Sequence, residues 1–392
     1  MMPAQTPGGF ARRLPLPRMR IAVTTLSGCV AALLALGMVM LYSSSMPQAG
    51  AHYLKMQMLW CLLGLGVCAA VASVPARWLE RVAWPLFALS VLLLALVLVP
   101  GLGRRINGAQ RWFDFHNVRF QPSELAKLGL ILALAAYGAR MQRHMHTFRR
   151  GVLWPGLIIA VPLGLIFVEP DRGTTILLAA VGGVMLLLAG ARWRFILPPA
   201  LLAVAALGWS LWHDPVRSER ILAFLHPEEH REGAGYQVWQ GVLALGSGGW
   251  FGTGLGNSRQ KLGYVPERHT DFILPIIGEE LGLVATLSVL AAFALIFYCG
   301  AFIAWRAPDT FGFLVASGAS LLIAWQACIN IGVVTASLPN KGIPLPFISY
   351  GGSNLVVMLA CVGLLLNVAR HAAAGQPVQP APLEAAEVPQ SA

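Results

Sequence analysis

Ten apolar stretches recur along the 392-residue chain, and each is long enough to cross the hydrocarbon core of a bilayer as a helix. They cover residues 21–42, 56–73, 79–99, 123–141, 151–168, 174–190, 195–212, 272–299, 311–336 and 352–369. A segment in lipid has to pair its own backbone N–H and C=O groups, so such runs are expected to be helices. No run alternates in the manner of a membrane barrel strand. The composition agrees: 57% of residues are hydrophobic and only 11% are charged. That balance excludes a soluble enzyme, a disordered chain and a nucleic-acid module. The predicted fold class is therefore all-α, a polytopic membrane protein with ten transmembrane helices. One membrane domain is expected at residues 21–371, between a cytoplasmic N-terminal tail at 1–20 and a disordered cytoplasmic C-terminal tail at 372–392. A long extracytoplasmic loop, residues 213–271, separates spans seven and eight.

The net charge of +11 is largely topological. With both termini placed inside, inner segments carry fourteen Lys and Arg and short outer loops carry seven. This is the positive-inside bias. The outer loop at 100–122 runs against it with four arginines, which suggests that the arginines are used. The six cysteines lie within or beside apolar runs without a C-x-x-C pair, as small buried hydrophobes would. The first span is followed by further spans and no A-x-A site, so it is expected to be retained rather than cleaved.

Several polar constellations interrupt the apolar pattern. Pro266-Glu267-Arg268-His269-Thr270-Asp271-Phe272 closes the long loop at the membrane surface. Asp271 there could be a general base toward a sugar hydroxyl, and Thr270 or Asp271 could instead cap span eight. Glu279 and Glu280 lie two turns into that span, where a charge is costly, so at least one should meet a polar cavity. Gln121-Pro122-Ser123-Glu124-Leu125-Ala126-Lys127 opens span four. Gln121 or Ser123 could cap it, and Glu124 and Lys127 share a face and can pair. Glu169-Pro170-Asp171-Arg172-Gly173-Thr174 is a charged turn able to cap its own helix. Gly252-Thr253-Gly254-Leu255-Gly256 reads as a flexible loop or a backbone cradle for phosphate. Residues 236–245 suit an interfacial helix. The stretch from Asn340 to Ser353, with Lys341, two prolines, Ser349 and a Gly-Gly pair, suits non-helical backbone lining a cavity.

These segments, together with Gly108-Ala109-Gln110-Arg111-Trp112, resemble the SEDS family of peptidoglycan polymerases. The matches run in family order over most of the chain; one departure is Arg172, where an aliphatic residue is expected. The resemblance implies a glycosyltransferase acting on lipid II and the growing glycan strand, with Asp271 catalytic. It carries substrate-binding roles to Trp112, Glu124 and Lys127. Arg111, Gln121, Ser123, His269, Glu280, Lys341 and Ser349 join them as candidates from their placement. The reaction would be an inverting displacement of undecaprenyl pyrophosphate, whose charge Arg104, Arg105, Arg111, Lys341 or a divalent cation (Mg or Mn) could meet. No other cofactor is expected. Gly254 to Leu262 and Leu338 to Gly342 look more like the division branch than the elongation branch, implying the inner membrane at the septum. The expected partners are a class B penicillin-binding transpeptidase and other divisome proteins, and no nucleic acid. Small residues on spans eight and nine, among them Ala285, Ser288, Ala316 and Ala319, suit packing against that partner's membrane helix. A lipid II transporter, or a scaffold needing no Asp271, would be the contrasting functions.

Overall fold

The computed structural model describes residues 16–106, 109–115, 118–226, 228–233 and 235–374. Every expected span is a helix. The first seven are α1 (Leu16–Ala49), α2 (His52–Ser73), α3 (Ala76–Val97), α4 (Pro122–Met141), α5 (Trp154–Val168), α6 (Arg172–Leu188) and α7 (Trp193–Trp212). The long loop contains α8 (Pro215–Leu225) and α9 (Tyr236–Ser247), the second over the stretch expected to be interfacial. The last three spans are α10 (Ile273–Trp305), α11 (Thr310–Val334) and α12 (Gly352–Ala374). Eight of the ten are long and apolar enough to cross a membrane by length and composition alone. Of the others, α6 has 17 residues, and α4 carries Glu124 and Lys127. Residues 1–15 and 375–392 of the expected tails, and Gly108, lie outside the described residues.

Helices α4, α11 and α12 are enclosed, whereas α7 leaves its apolar side chains facing outward. Without a hydrophobic drive between helices in lipid, close approach depends on small residues. Gly300 of α10 meets the Ser320 hydroxyl, Gly318 of α11 meets Ile131 and Met185, and Gly363 of α12 meets the backbone of Cys68. Ala316 and Ala319 belong to this interior, each at 0% exposure, so they cannot form the outer partner surface expected of them. Small residues serve inner and outer contacts alike, which is why their pattern alone misplaced these two. Ser288 of α10 does face outward.

Between α3 and α4 the arginine-rich loop folds into a short antiparallel sheet, β1 (Arg104–Ile106), β2 (Ala109–Phe115) and β3 (Val118–Phe120), in the order β1-β2-β3. Arg104 opposes Trp112, and Phe113 opposes Phe120. Arg104 also forms an ion pair with Asp114, closing the hairpin.

The long loop is anchored by a break in α10. Gly282 has φ 79° and ψ −173°, which only glycine adopts readily. The break releases four backbone groups that a continuous helix would pair with one another. Segment 249–254 replaces those bonds. The Thr253 and Gly254 N–H groups donate to the carbonyls of Glu279 (2.9 Å) and Glu280 (3.0 Å). The Leu283 and Val284 N–H groups donate to the carbonyls of Gly249 (2.9 Å) and Trp250 (3.2 Å). The Gly-rich stretch is thus neither a flexible loop nor a phosphate cradle, because the Thr253 and Gly254 N–H groups are spent on α10.

Glu279 and Glu280 reinforce the same junction. The Glu280 carboxylate accepts from Ser43 Oγ (2.7 Å), Lys261 Nζ (2.8 Å) and the Gly256 N–H (3.0 Å). The Glu279 carboxylate accepts from Ser258 Oγ and from the Arg259 N–H at 2.8 Å. A Cβ at Gly252 would lie 2.1 Å from the Glu280 carbonyl oxygen, whereas one at Gly246 would meet nothing within 4 Å. Gly252→Ala is therefore expected to cost about 2 kcal/mol or more through overpacking and forced positive φ. Gly246→Ala should be nearly neutral. Thermal melts of the two purified variants in one detergent would separate these outcomes.

Candidate active site

Asp271 sits in the turn before α10. The helix N-cap is Phe272, with no side-chain cap bond. The Thr270 hydroxyl turns back to the Glu267 carboxylate at 2.7 Å. Neither residue expected to cap this helix does so, and the Asp271 carboxyl is not committed to helix capping. Its main chain is held instead. Asn330 of α11 donates to the Asp271 carbonyl (2.7 Å) and to the Ile343 carbonyl (2.8 Å). A Cβ built on Gly342 would stand 2.8 Å from Asp271 Oδ2, so the backbone of this non-helical segment passes directly beside the carboxyl. Burial first, then the nearby Glu267 and Asp171 carboxylates, together raise the Asp271 pKa from 3.8 to about 7.

His269 lies two residues earlier, its ring stacked on Tyr53 at 4.7 Å and its carbonyl accepting from the Tyr350 N–H at 2.9 Å. Burial lowers its pKa, favouring the neutral imidazole. Arg268 is buried and donates to the Ser44 carbonyl at 2.9 Å, tying the turn to the end of α1. Ser349 accepts from the Leu345 N–H at 2.8 Å, closing the turn after the two prolines. Gln57 of α2 donates to the Ser349 carbonyl and accepts from the Gly351 N–H. Lys341 precedes Gly342 in this segment.

Glu124 and Lys127 pair as their spacing predicts, at 2.7 Å, with side chains 6% and 2% exposed. Neither stands alone. Asn354 donates to Glu124 Oε2 (2.9 Å), and Lys127 donates to Gln326 Oε1 (3.0 Å). Gln326 in turn donates to the Pro344 carbonyl (3.0 Å). A polar chain thus runs from α12 through α4 and α11 to the segment beside Asp271. Neither Gln121 nor Ser123 caps α4: no side-chain cap bond is present, and Pro122 fills the first turn. The Gln121 N–H reaches Ser353 Oγ (3.4 Å), while the Ser123 hydroxyl is buried without a partner.

Arg111 and Trp112 lie on β2. Trp112 is half-buried. The Arg111 guanidinium donates to the carbonyls of Glu169 (2.8 Å) and Pro170 (2.7 Å). Asp171 caps α6 as expected, accepting from the Thr174 N–H (3.0 Å) and hydroxyl (2.9 Å). Glu280 stands apart, enclosed at 0% exposure in the anchor described above.

Sequence reasoning passed over Gln57, Gln326, Asn330 and Asn354. Their signal was present: polar side chains inside apolar spans are costly and tend to be functional. Among the described residues no three His, Cys, Asp or Glu side chains gather as a ligand set.

The comparisons with known proteins bear on the family and the fold. The family model FtsW/RodA/SpoVE, described as "Cell cycle protein", matches residues 24–374. The chain belongs to this family. A relative named probable peptidoglycan glycosyltransferase FtsW, from Trichlorobacter lovleyi, is 40% identical over 345 residues, covering 86% of this chain and 91% of the relative. One of the same name from Pseudomonas fluorescens is 39% identical, covering 88% and 86%. Among solved structures, a chain from a peptidoglycan synthase complex that coordinates polymerization and crosslinking superposes with a TM-score of 0.74 at 31% identity, covering 88% of this chain and 97% of that one. The rod shape determining protein RodA of Thermus thermophilus gives 0.66 at 32% identity, covering 88% and 95%.

The buried pair in this family member makes a prediction. Removing one partner leaves an uncompensated buried charge, at a cost of about 3–5 kcal/mol. Glu124→Gln and Lys127→Met singly should each lower folded yield strongly, while the double variant should recover much of it. Fluorescence-detected size exclusion would measure this, and additive losses would show that the two residues are not coupled.

Proposed function

We infer that this protein is a peptidoglycan glycosyltransferase that polymerises lipid II at the outer face of the cytoplasmic membrane during septal wall synthesis. The observation that carries the reading is Asp271. It is a carboxyl with a pKa near 7, fixed by its main chain, uncommitted to capping, and placed where a long outer loop meets the bundle. A base titrating near the working pH is suited to taking a proton in a transition state.

In the reaction, the acceptor GlcNAc 4-hydroxyl attacks C1 of the donor MurNAc while Asp271 accepts its proton. The C1–O bond to undecaprenyl pyrophosphate breaks, the leaving group keeps the electron pair, and one displacement inverts the anomeric centre. Lys341 adjoins Gly342, whose backbone passes beside the Asp271 carboxyl, and is assigned to the departing pyrophosphate. Arg104 is engaged by Asp114 and Arg111 by two carbonyls, so neither is assigned there. Glu124 and Lys127 support the segment carrying Lys341 through Gln326. Both termini are placed in the cytoplasm by the arginine bias. A class B penicillin-binding transpeptidase is the proposed partner, with the outward face of α10 as its docking helix. The names of the relatives favour the division branch over the elongation branch.

Asp271→Asn tests the assignment. The variant should fold and insert, yet make no glycan from purified lipid II; near wild-type polymerisation would eliminate Asp271 as the base. In the wild type, activity should fall as pH drops below about 7, because only the carboxylate accepts a proton. Stability should move the opposite way. The folded pKa exceeds the ordinary value, so ionising Asp271 opposes folding. That penalty is absent below pH 3.8, grows up to about 7 and is full above it. Asp271→Asn escapes the penalty, so its melting temperature relative to wild type should rise between pH 5 and pH 8.

A further inference from the structure

Arg111 was expected to meet phosphate, but its guanidinium is turned to the protein. Nε donates to the Glu169 carbonyl at 2.8 Å and Nη2 to the Pro170 carbonyl at 2.7 Å. These carbonyls lie just past the end of α5, where a helix leaves its last carbonyls unpaired. A planar fork with fixed N–H directions can hold two adjacent acceptors at once, which an ammonium cannot do with the same geometry. We propose that Arg111 is a positioning residue for the transfer reaction, fixing the Glu169-Pro170-Asp171 turn against the Gly342-Ile343 segment that borders the Asp271 carboxyl.

The turn has little freedom apart from this grip. The Glu169 N–H continues α5 by donating to the Leu165 carbonyl at 3.1 Å, and Asp171 begins α6 by capping Thr174. On its far side the turn packs against the segment beside the acid. A Cβ on Gly173 would stand 3.0 Å from the Ile343 side chain, and one on Gly342 would stand 2.8 Å from Asp271 Oδ2. A displacement of the turn is therefore passed to the acid through Ile343 and Gly342. The Glu169 side chain explains why the guanidinium favours carbonyls. Its carboxyl is at 0% exposure, with neither oxygen hydrogen-bonded. Burial and then Asp171 push its pKa up, against the opposing Arg111, to about 8. The neutral acid leaves Arg111 to the backbone.

The charged groups acting on Asp271 are Glu267 on its own loop and Asp171 across the turn. Those facing Glu169 are Asp171 and Arg111. Asp171 raises the Asp271 pKa, so loosening the turn should lower it.

The proposal rests on Asp271 being the base, and the experiment separates the two. Wild type, Arg111→Lys, Asp171→Asn and the double variant are purified and assayed with lipid II across a pH range bracketing 7. Arg111→Lys should lose kcat by a factor on the order of 100, the usual scale for a misplaced catalytic group. Its KM for lipid II should stay near wild type, and its acid limb should move to lower pH. Asp171→Asn keeps a capping side chain and removes the charge, so its limb should move the same way. Arg111→Lys added to Asp171→Asn should move the limb little further. A rise in KM with kcat retained in Arg111→Lys would make Arg111 a phosphate ligand and overturn the proposal. An unmoved limb in Asp171→Asn would overturn it whether or not Arg111→Lys can be recovered folded. Activity in Asp271→Asn would instead remove the base assignment, leaving a kcat-only loss in Arg111→Lys to report on the turn itself.

Discussion

Every backbone N–H and C=O group at membrane depth has to find a protein partner, since lipid offers none. That constraint decides where this chain can depart from a helix. At Gly282 the helical pairing of α10 is interrupted, and the four groups released are taken up one for one by segment 249–254. The exchange conserves hydrogen bonds while fastening the far end of a loop that would otherwise be costly to order. Glycine is required on both sides of the contact, because a Cβ on Gly252 or Gly282 would sit 2.1 Å or 2.4 Å from opposing backbone. The carboxylates of Glu279 and Glu280 then gather the next turn of the loop, residues 256–261. The loop returns to the membrane surface at Asp271 from a fixed origin rather than a mobile one.

The second departure is the stretch between α11 and α12. Here side chains, not backbone, supply the partners: Gln326 for Pro344, Asn330 for Ile343 and Gln57 for Ser349. Each of these amides lies in a helix that otherwise reads as apolar. Gln326 is joined to the Glu124–Lys127 ion pair, so the expense of burying that pair is tied to supporting the segment beside Asp271. A hydrophobic replacement of the pair could stabilise the bundle, yet it would leave Gln326 without one partner and the segment with a weaker hold. The polar chain is better understood as a frame for Asp271 than as a source of stability.

Much of this was legible in the sequence, for identifiable reasons. Hydropathy located the ten helices, since a span has to be apolar over a fixed length. The Glu124–Lys127 pair followed from an i,i+3 spacing, and the Asp171 cap followed from a local turn. The readings that failed depended on contacts distant in sequence. Segment 252–256 looked like a loop because its partner is a helix break, and a lone glycine inside an apolar run gives no warning of one. Thr270 and Asp271 both have capping chemistry, but Glu267 captures the threonine and the helix starts beyond the aspartate. Arg111 looked like a free cation because its acceptors are carbonyls 58 and 59 residues away. The short sheet at 104–120 was concealed by its charges, although Trp112, Phe113 and Phe115 are aromatic residues favoured in strands.

The carboxyl groups divide according to how they are met. Glu124, Glu279 and Glu280 are surrounded by donors, and their role is to hold helices and loop together. Asp271 and Glu169 lie where burial outweighs nearby cations, and both titrate well above the ordinary carboxyl range. A protein selected only for stability would have moved donors toward Asp271, lowering its pKa and quieting the base. What surrounds it instead are the acidic groups Glu267 and Asp171, which act in the opposite direction. The donors nearby, Asn330 and Arg111, are directed at carbonyls. Rigidity is thus delivered to the main chain around the acid, while the acid itself is kept poorly stabilised as an anion. That separation gives a fixed carboxyl with a high proton affinity, the combination suited to the proposed abstraction of a proton from a sugar hydroxyl.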